Sequence, residues 1–344
     1  MNKYSKRLLE KTIGIVIIVF CSFIYADEIT STDHYDGKIF HNLNNVKSHS
    51  FGDMIKWMKN IETVDWPNWI DDPTQPDPEN RVMNDKLKVT YINHATVLIQ
   101  TGGINIITDP IFSKRAGPVS WIGTKRIRNP GVKLEKLPKI DIILISHDHY
   151  DHLDISSLRF ITKRDNPLVL TGLKVGNILK SKKMNNFKEL DWWDYHKFEN
   201  IKFTFVPAQH QSGRSVFDEN KTLWGGFVIE TSGGNIYFAG DSGYGDFFHQ
   251  IVEKYKTFRL TILPIGSYEA RWIMKTMHMN PEDAVQIHKL LNSKQSIGMH
   301  YGTFAEHPEQ TVDQHEKDLK KALDKYNLKQ NMFLVLKFGE GRYF

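Results

Sequence analysis

Three histidines and an aspartate with strong affinity for metal ions, His147, His149, Asp151 and His152, follow directly on the apolar run "KIDIILIS". In an extended loop alternate side chains point the same way, so His147 and His149 can grip one cation. Asp151 and His152, beyond a bend, can reach a second. A solvated loop would be expected to carry Gly, Asn, Ser and Lys, and so dense a histidine cluster at a strand end points to metal. Asp148 and Asp154 are not required as ligands. Three more candidates follow further apolar runs: His210 after "FTFVPAQ", Asp241 in "IYFAGDSGY", and His300 after "QSIGM". Gly240 and Gly243 flank Asp241 and permit close backbone approach. A carboxylate has two oxygens for two cations, so Asp241 is the natural bridge. The only cysteine is Cys21, and a metal held by the rest of the chain must rely on His and carboxylate.

The elements that must aim these side chains begin at Leu87. From there "LKVTYINHATVLIQ", "INIITDP", "KIDIILISH", "PLVLTG", "IKFTFVPAQH", "WGGFVIETSGGNIYFAGD" and "LTILPIG" read as short strands bounded by Gly, Asp or Pro. Gly233 and Gly234 sit between two of them as a hairpin turn. Helical patterns come later, in "NPEDAVQIHKLL" and "EQTVDQHEKDLKKALDKY". In the first, Asn280 serves as N-cap, Pro281 as the first helical residue, and Glu282 and Asp283 as acidic first-turn residues. This order predicts layered sheets covered by helices.

Ahead of that domain (87–344), residues 27–86 are polar, and "DWPNWIDDPTQPDPEN" is rich in Pro, Asp and Trp. They predict an irregular extension packed on the core. Residues 1–26 combine four cations and one anion with an apolar run ending at Ala26, the pattern of a signal peptide. It is shorter than the roughly 20 residues of a spanning helix, and an uncleaved anchor is the alternative. The expectation is an exported chain, periplasmic or secreted, with some membrane association. The net charge of +5 falls to +2 once the first eleven residues are set aside, which excludes an electrostatic nucleic-acid footprint.

HxHxDH followed by a distant His, Asp and His resembles the metallo-β-lactamase superfamily of binuclear hydrolases. The segments "NHATVLIQ", "TDPIFSKRAGP", "ISHDHYDHLD", "LDWW", "LWGGF", "FAGDSGY", "PIGSYEARWIMK", "HMNPEDAVQIH", "HYGTFA" and "LKFGEGRYF" are similar, in the same order, to its N-acylphosphatidylethanolamine-hydrolysing phospholipase D branch. The resemblance implies a mixed α/β fold, an αββα four-layer sandwich with the metals at one edge. It implies two Zn2+ per chain, the first on His147, His149 and His210, the second on Asp151, His152 and His300, with Asp241 between them. It implies a phosphodiesterase of phospholipase D type, acting on phospholipid at a membrane surface and releasing N-acylethanolamine and phosphatidic acid; a homodimer is compatible with it.

Two zinc ions lower the pKa of a bridging water and polarise a phosphoryl oxygen. The catalytic candidates are Asp151, itself a ligand, and His278, which matches a histidine that the family places beside the substrate phosphate; the alternative for His278 is a surface or helix-cap role. Met277 stands where the family commonly carries Gln. His94 is expected beside the site without being a ligand, Asp109 to orient a ligand histidine, and His288 to be structural. Trp192, Trp193, Tyr268 and Trp272 are expected in the core, with the lining of a lipid groove as the alternative. Lys125, Arg126 and Arg128 form a short basic patch, suited to anionic headgroups and otherwise a solvated face. Other substrates on the same metals (a lactone, a thioester, a nucleotide phosphodiester) and a non-catalytic envelope protein are the competing readings. Mass spectrometry of the exported fraction should find a chain beginning at Asp27; recovery of full-length protein alone from membranes would favour the anchor.

Overall fold

The computed structural model describes residues 32–46, 51–60, 64–305 and 310–344; the leader expected over 1–26 lies outside them. The chain divides into two units, Met1–Lys38 and Ile39–Phe344. In the first, Thr32 and Tyr35 form an isolated bridge. The second holds every element below.

The strand-forming runs build β1 (Leu87–Asn93), β2 (Thr96–Thr101), β3 (Ile104–Thr108), β4 (Arg115–Ala116), β5 (Thr124–Lys125), β6 (Ile142–Ile145), β7 (Leu168–Gly172) and β8 (Phe187–Leu190). They continue as β9 (Tyr195–Phe198), β10 (Ile201–Val206), β11 (Gly226–Thr231), β12 (Gly234–Phe238), β13 (Phe258–Pro264), β14 (Ser293–Met299), β15 (Phe333–Leu334) and β16 (Gly341–Tyr343). Helices are α1 (Phe51–Asn60), α2 (Ile155–Asp165), α3 (Val175–Ser181), α4 (Phe247–Tyr255), α5 (Arg271–Met274), α6 (Pro281–Leu290) and α7 (Gln314–Lys325). Two seven-stranded sheets result, ordered β16-β1-β2-β3-β6-β7-β8 and β15-β14-β13-β12-β11-β10-β9, with β4 and β5 as a separate hairpin.

Each sheet is half antiparallel and half parallel. Hairpins link β1, β2 and β3, while β3, β6, β7 and β8 run parallel and need longer crossovers, which α2 and α3 supply between β6, β7 and β8. Leu158 and Ile161 of α2 and Val175 and Leu179 of α3 fill one such layer against Ile143 and Val169. In the second sheet β12 to β15 are parallel, and α6 lies on β13 and β14 with α7 beside it.

This pairing brings the carboxyl ends of β1, β3 and β6 to one edge of the first sheet, and those of β10, β12 and β14 to one edge of the second. Strands buried along nearly their whole length supply the rigidity. The expected capping of α6 is present: the Asn280 side chain accepts from Asp283 N at 2.8 Å and the Asp283 carboxylate closes the capping box. The extension is less irregular than expected, because it contains α1, with Asp53 in its first turn and Lys59 in its last. Trp57 of α1 packs on Ile273, Met274 and Met277. Among the described residues no helix is long and apolar enough to cross a membrane.

His288 of α6 is structural, its Nδ1 lying 2.7 Å from Ser296 Oγ on β14. Burial lowers its pKa to about 4, and burial, aided by Arg128, takes His315 to about 4 as well. Their neutral forms belong to the folded state. As pH falls below the ordinary 6.5, the unfolded chain takes up protons that the folded chain refuses. Each should therefore cost up to ~1.4 kcal/mol of stability per pH unit until the folded pKa is reached. Urea midpoints measured between pH 7 and 4 should fall, and less steeply in His288→Gln; an unchanged slope would show that His288 does not contribute.

Candidate metal centre

Asp109 follows β3 directly, buried, with a left-handed φ of 33°. Its Oδ1 accepts from Ser146 N at 2.8 Å and its Oδ2 from Ser146 Oγ at 2.6 Å. The same Oδ2 lies 2.8 Å from His152 Nδ1, and Ser146 Oγ lies 2.9 Å from His147 Nδ1. Read as a hydrogen-bond chain, each Nδ1–H donates outward, to Asp109 or Ser146, and each Nε2 lone pair faces inward. Asp109 thus orients His152, as expected. Sequence reading missed Ser146, whose only signal was its place just before the motif.

Inward-facing nitrogens form the first donor set. His149 Nδ1 lies 2.9 Å from His147 Nε2 and 3.3 Å from His210 Nε2. His210 is fixed through Nδ1, 3.1 Å from Met277 O, and through its peptide, which both donates to and accepts from the Asn42 side chain. Asn42 was also missed, because nothing local links it to a residue 168 positions away.

The second set is His152, His300, Asp151 and Asp241. Asp241 Oδ2 lies 3.1 Å from His152 Nε2 and 3.0 Å from His300 Nε2, and Asp151 Oδ2 lies 3.2 and 3.5 Å from the same atoms. Asp241 Oδ2 is also 3.8 Å from His210 Nε2, so this carboxylate stands between the two sets. Zinc–nitrogen bonds of 2.0–2.1 Å give a tetrahedral edge of about 3.3 Å, and both sets match it. Asp241 Oδ1 is buried without a hydrogen-bond partner among the described residues, an open acceptor facing the same space. The backbone reaches this point through Gly240, with φ 61°, where a Cβ would meet Ser146 Cβ at 2.6 Å.

Electrostatics prepare these groups for cations. Burial, with neighbouring imidazoles, drives His147 well below the ordinary histidine range, and burial takes His210 to about 3. Burial also lowers His149. Burial alone would raise Asp151 and Asp241, yet the charge of His152 beside them holds both well below the ordinary carboxylate range. His152, its own burial outweighed by Asp241 and Asp151, is raised well above. Neutral imidazoles and ionised carboxylates are the forms that bind metal, so a cation at Nε2 of His152 would take the place of the proton that Asp241 and Asp151 otherwise favour there.

The β-lactamase superfamily domain profile matches residues 104–301. N-acyl-phosphatidylethanolamine-hydrolyzing phospholipase D 1 of Caenorhabditis elegans is 37% identical over 266 residues, covering 74% of this chain and 75% of that protein. The chain belongs to the metallo-β-lactamase superfamily, close to that phospholipase branch. The Saccharomyces cerevisiae N-acyl-phosphatidylethanolamine-hydrolyzing phospholipase D, mitochondrial, is 37% identical over 240 residues, 66% of this chain and 50% of that one. Among solved structures, isothiocyanate hydrolase from Delia radicum gut bacteria shares the superfamily fold with a TM-score of 0.60 at 20% identity, covering 75% of this chain and 99% of that one. The metallo hydrolase Igni18 from Ignicoccus hospitalis gives 0.57 at 24% identity, covering 75% and 98%. As a member of the superfamily the chain is a metal-dependent hydrolase.

All seven residues expected as ligands, with His94 and His278, fall into overlapping groups of donors within 4.8 Å of one another. His94 Nε2 lies 2.8 Å from Asp151 Oδ2, and its ring lies on His300 with centroids 3.9 Å apart. Asp148 and Asp154 serve backbone: Asp148 accepts from Gly213 N at 2.7 Å, and Asp154 caps α2. Two expectations need correcting. Arg126 is buried, donating to the Ser113 and Ile111 carbonyls, and Arg128 pairs with Asp72 and stacks on Phe338, so only Lys125 of that trio is a solvated cation. Trp192 and Tyr268 are core residues, whereas Trp193 is half-buried and Trp272 is exposed, because successive helical residues point about 100° apart and α5 turns Ile273 and Met274 inward.

The Ser146 hydroxyl joins His147 to Asp109 and so to His152. Ser146→Ala should leave the fold intact and weaken zinc binding by roughly 10–100-fold, measured by isothermal titration of the metal-stripped protein; parent-like affinity would show that the hydroxyl does not hold the ligands.

Proposed function

We propose that this chain is a zinc-dependent phosphodiesterase of phospholipase D type, hydrolysing N-acylphosphatidylethanolamine-like phospholipids at a membrane surface to N-acylethanolamine and phosphatidic acid. The observation that carries the substrate class is the 37% identity to a relative named for that hydrolysis. Geometry supports the chemistry: His147, His149 and His210 would hold one ion, Asp151, His152 and His300 a second, with Asp241 reaching both. Two zinc ions so held would polarise a phosphoryl oxygen and make hydroxide available near neutral pH. Export of the chain belongs to the same proposal, on the strength of its basic and apolar leader.

A phosphodiester expels a poor alkoxide, and this chain has an imidazole placed to attend to it. His278 is buried, its Nδ1 is 4.0 Å from Asp241 Oδ2, and its ring lies 5.2 Å from His210 and 5.4 Å from His300. That position beside both donor sets supports the catalytic reading over a surface or cap role. Its peptide is pinned on both sides: His278 N donates to Met274 O at 2.8 Å, and Arg271 Nη1 donates to His278 O at 2.9 Å. Arg271 is itself fixed by Asp283 at 2.7 Å. Held by α5 and α6 in this way, the imidazole would donate a proton to the departing oxygen.

His278→Ala should keep the parent's metal content and lose roughly 10²–10⁴-fold in kcat on N-acylphosphatidylethanolamine, with KM little changed. Metal analysis and a headgroup-release assay across phospholipids and lactones make the check. A mutant at the parent rate would remove His278 from the mechanism, and a parent that cleaves lactones but no phospholipid would overturn the substrate class.

A further inference from the structure

Among the described residues, the three most exposed large apolar side chains are Phe217 at 83%, Val216 at 82% and Trp121 at 73%, with Ile122 at 52% beside the last. They occupy two turns, the tip of the β4–β5 hairpin and the segment after Arg214. Both turns border one cleft of about 220 Å³, whose wall includes Val119, Arg214, Tyr150 and Leu153. Tyr150 and Leu153 belong to the loop that carries His149, Asp151 and His152.

The turns are held outward by specific bonds. In the hairpin, Arg115 Nη1 donates to Gly123 O at 2.8 Å, and a Cβ at Gly123 would meet Ala116 O at 1.9 Å, so the turn is closed too tightly to fold its tip back. In the other, Asp218 Oδ1 accepts from Arg214 N and Ser215 N at 2.9 and 2.7 Å. The Arg214 guanidinium lies 3.9 Å above the Tyr150 ring and donates to the Asp148 and Leu153 carbonyls. The second apolar tip is thereby bolted to the ligand loop. Along the hairpin's own segment no Asp or Glu occurs between Pro110 and Leu134, and Lys114 and Lys125 are exposed; Asp154, on the cleft wall, accepts from Ser113 N.

We propose that these two turns form a bilayer-docking surface, Trp121, Ile122, Val216 and Phe217 entering the interface and Lys114 and Lys125 meeting anionic headgroups. Exposed aromatic and aliphatic tips beside lysines are the chemistry of interfacial anchoring, and each cation is worth about fivefold in partitioning. This rests on the phospholipid reading, because docking here sets the ligand loop against the lipid surface.

The test places one environment-sensitive fluorophore in the full chain at Ser120→Cys, with Cys21→Ser, and adds vesicles of phosphatidylcholine with or without phosphatidylglycerol. Emission should shift to the blue, at lower lipid concentration when phosphatidylglycerol is present. Trp121→Ser combined with Phe217→Ser should raise the lipid needed at least tenfold, and Lys114→Gln or Lys125→Gln about fivefold each. A label at exposed Tyr195→Cys on β9 should not respond. None of these residues touches the donor sets, so hydrolysis of a water-soluble phosphodiester should be unchanged. No shift at Ser120→Cys in a protein that hydrolyses dispersed phospholipid overturns the docking surface and leaves the activity standing. A lipid-dependent shift in a protein that hydrolyses no phospholipid upholds docking and overturns the activity. A shift that follows protein concentration without lipid would make the turns a contact between copies and overturn the proposal.

Discussion

One buried carboxylate organises this molecule. Asp109 is withdrawn from water at the end of β3, and burial pushes its pKa up. It is tolerable there only because its two oxygens accept from Ser146 N, Ser146 Oγ and His152 Nδ1. Those donors lie in the loop that starts directly after β6, so the pairing that locks β3 to β6 also decides which way two imidazoles face. Losing a single acceptor would disturb one ligand of each donor set.

Backbone strain gathers around the same point. His94, Asp109 and His300 all have left-handed φ values, 47°, 33° and 62°, each costing of the order of 1–3 kcal/mol in a non-glycine residue. Neighbours over-determine them: His300 N donates to His94 O at 2.8 Å, His94 N to Thr303 Oγ1 at 2.9 Å, and Asp109 N to Leu144 O at 2.9 Å. The strain turns three strand ends sharply toward one space.

Much of this was legible in the sequence because it is local. A strand followed at once by His147, Asp241 or His300 announces itself, and so do Asn280 and Pro281 at the start of α6. What escaped depends on partners remote in the chain. Asn42 and Ser146 are ordinary polar residues until folding sets them beside His210 and Asp109. Arg126 and Arg128 read as a surface patch because the carbonyls and Phe338 that receive them cannot be seen from their own neighbourhood. The α1 helix was hidden by the irregular composition around it, and Trp272 by its buried neighbour Ile273.

The first sheet is closed by a strand remote in sequence: β16 pairs with β1, Tyr343 opposite Lys88. Donors come from His147 through His300, and the strand that completes their scaffold follows all of them in the chain. Pairings of such long sequence separation form slowly. A nascent chain therefore presents the HxHxDH loop to cations long before His210, Asp241 and His300 exist to share them. Metal capture is in this way staged along the chain, the first donor set having all its members only once His210 is made and the second only once His300 is made.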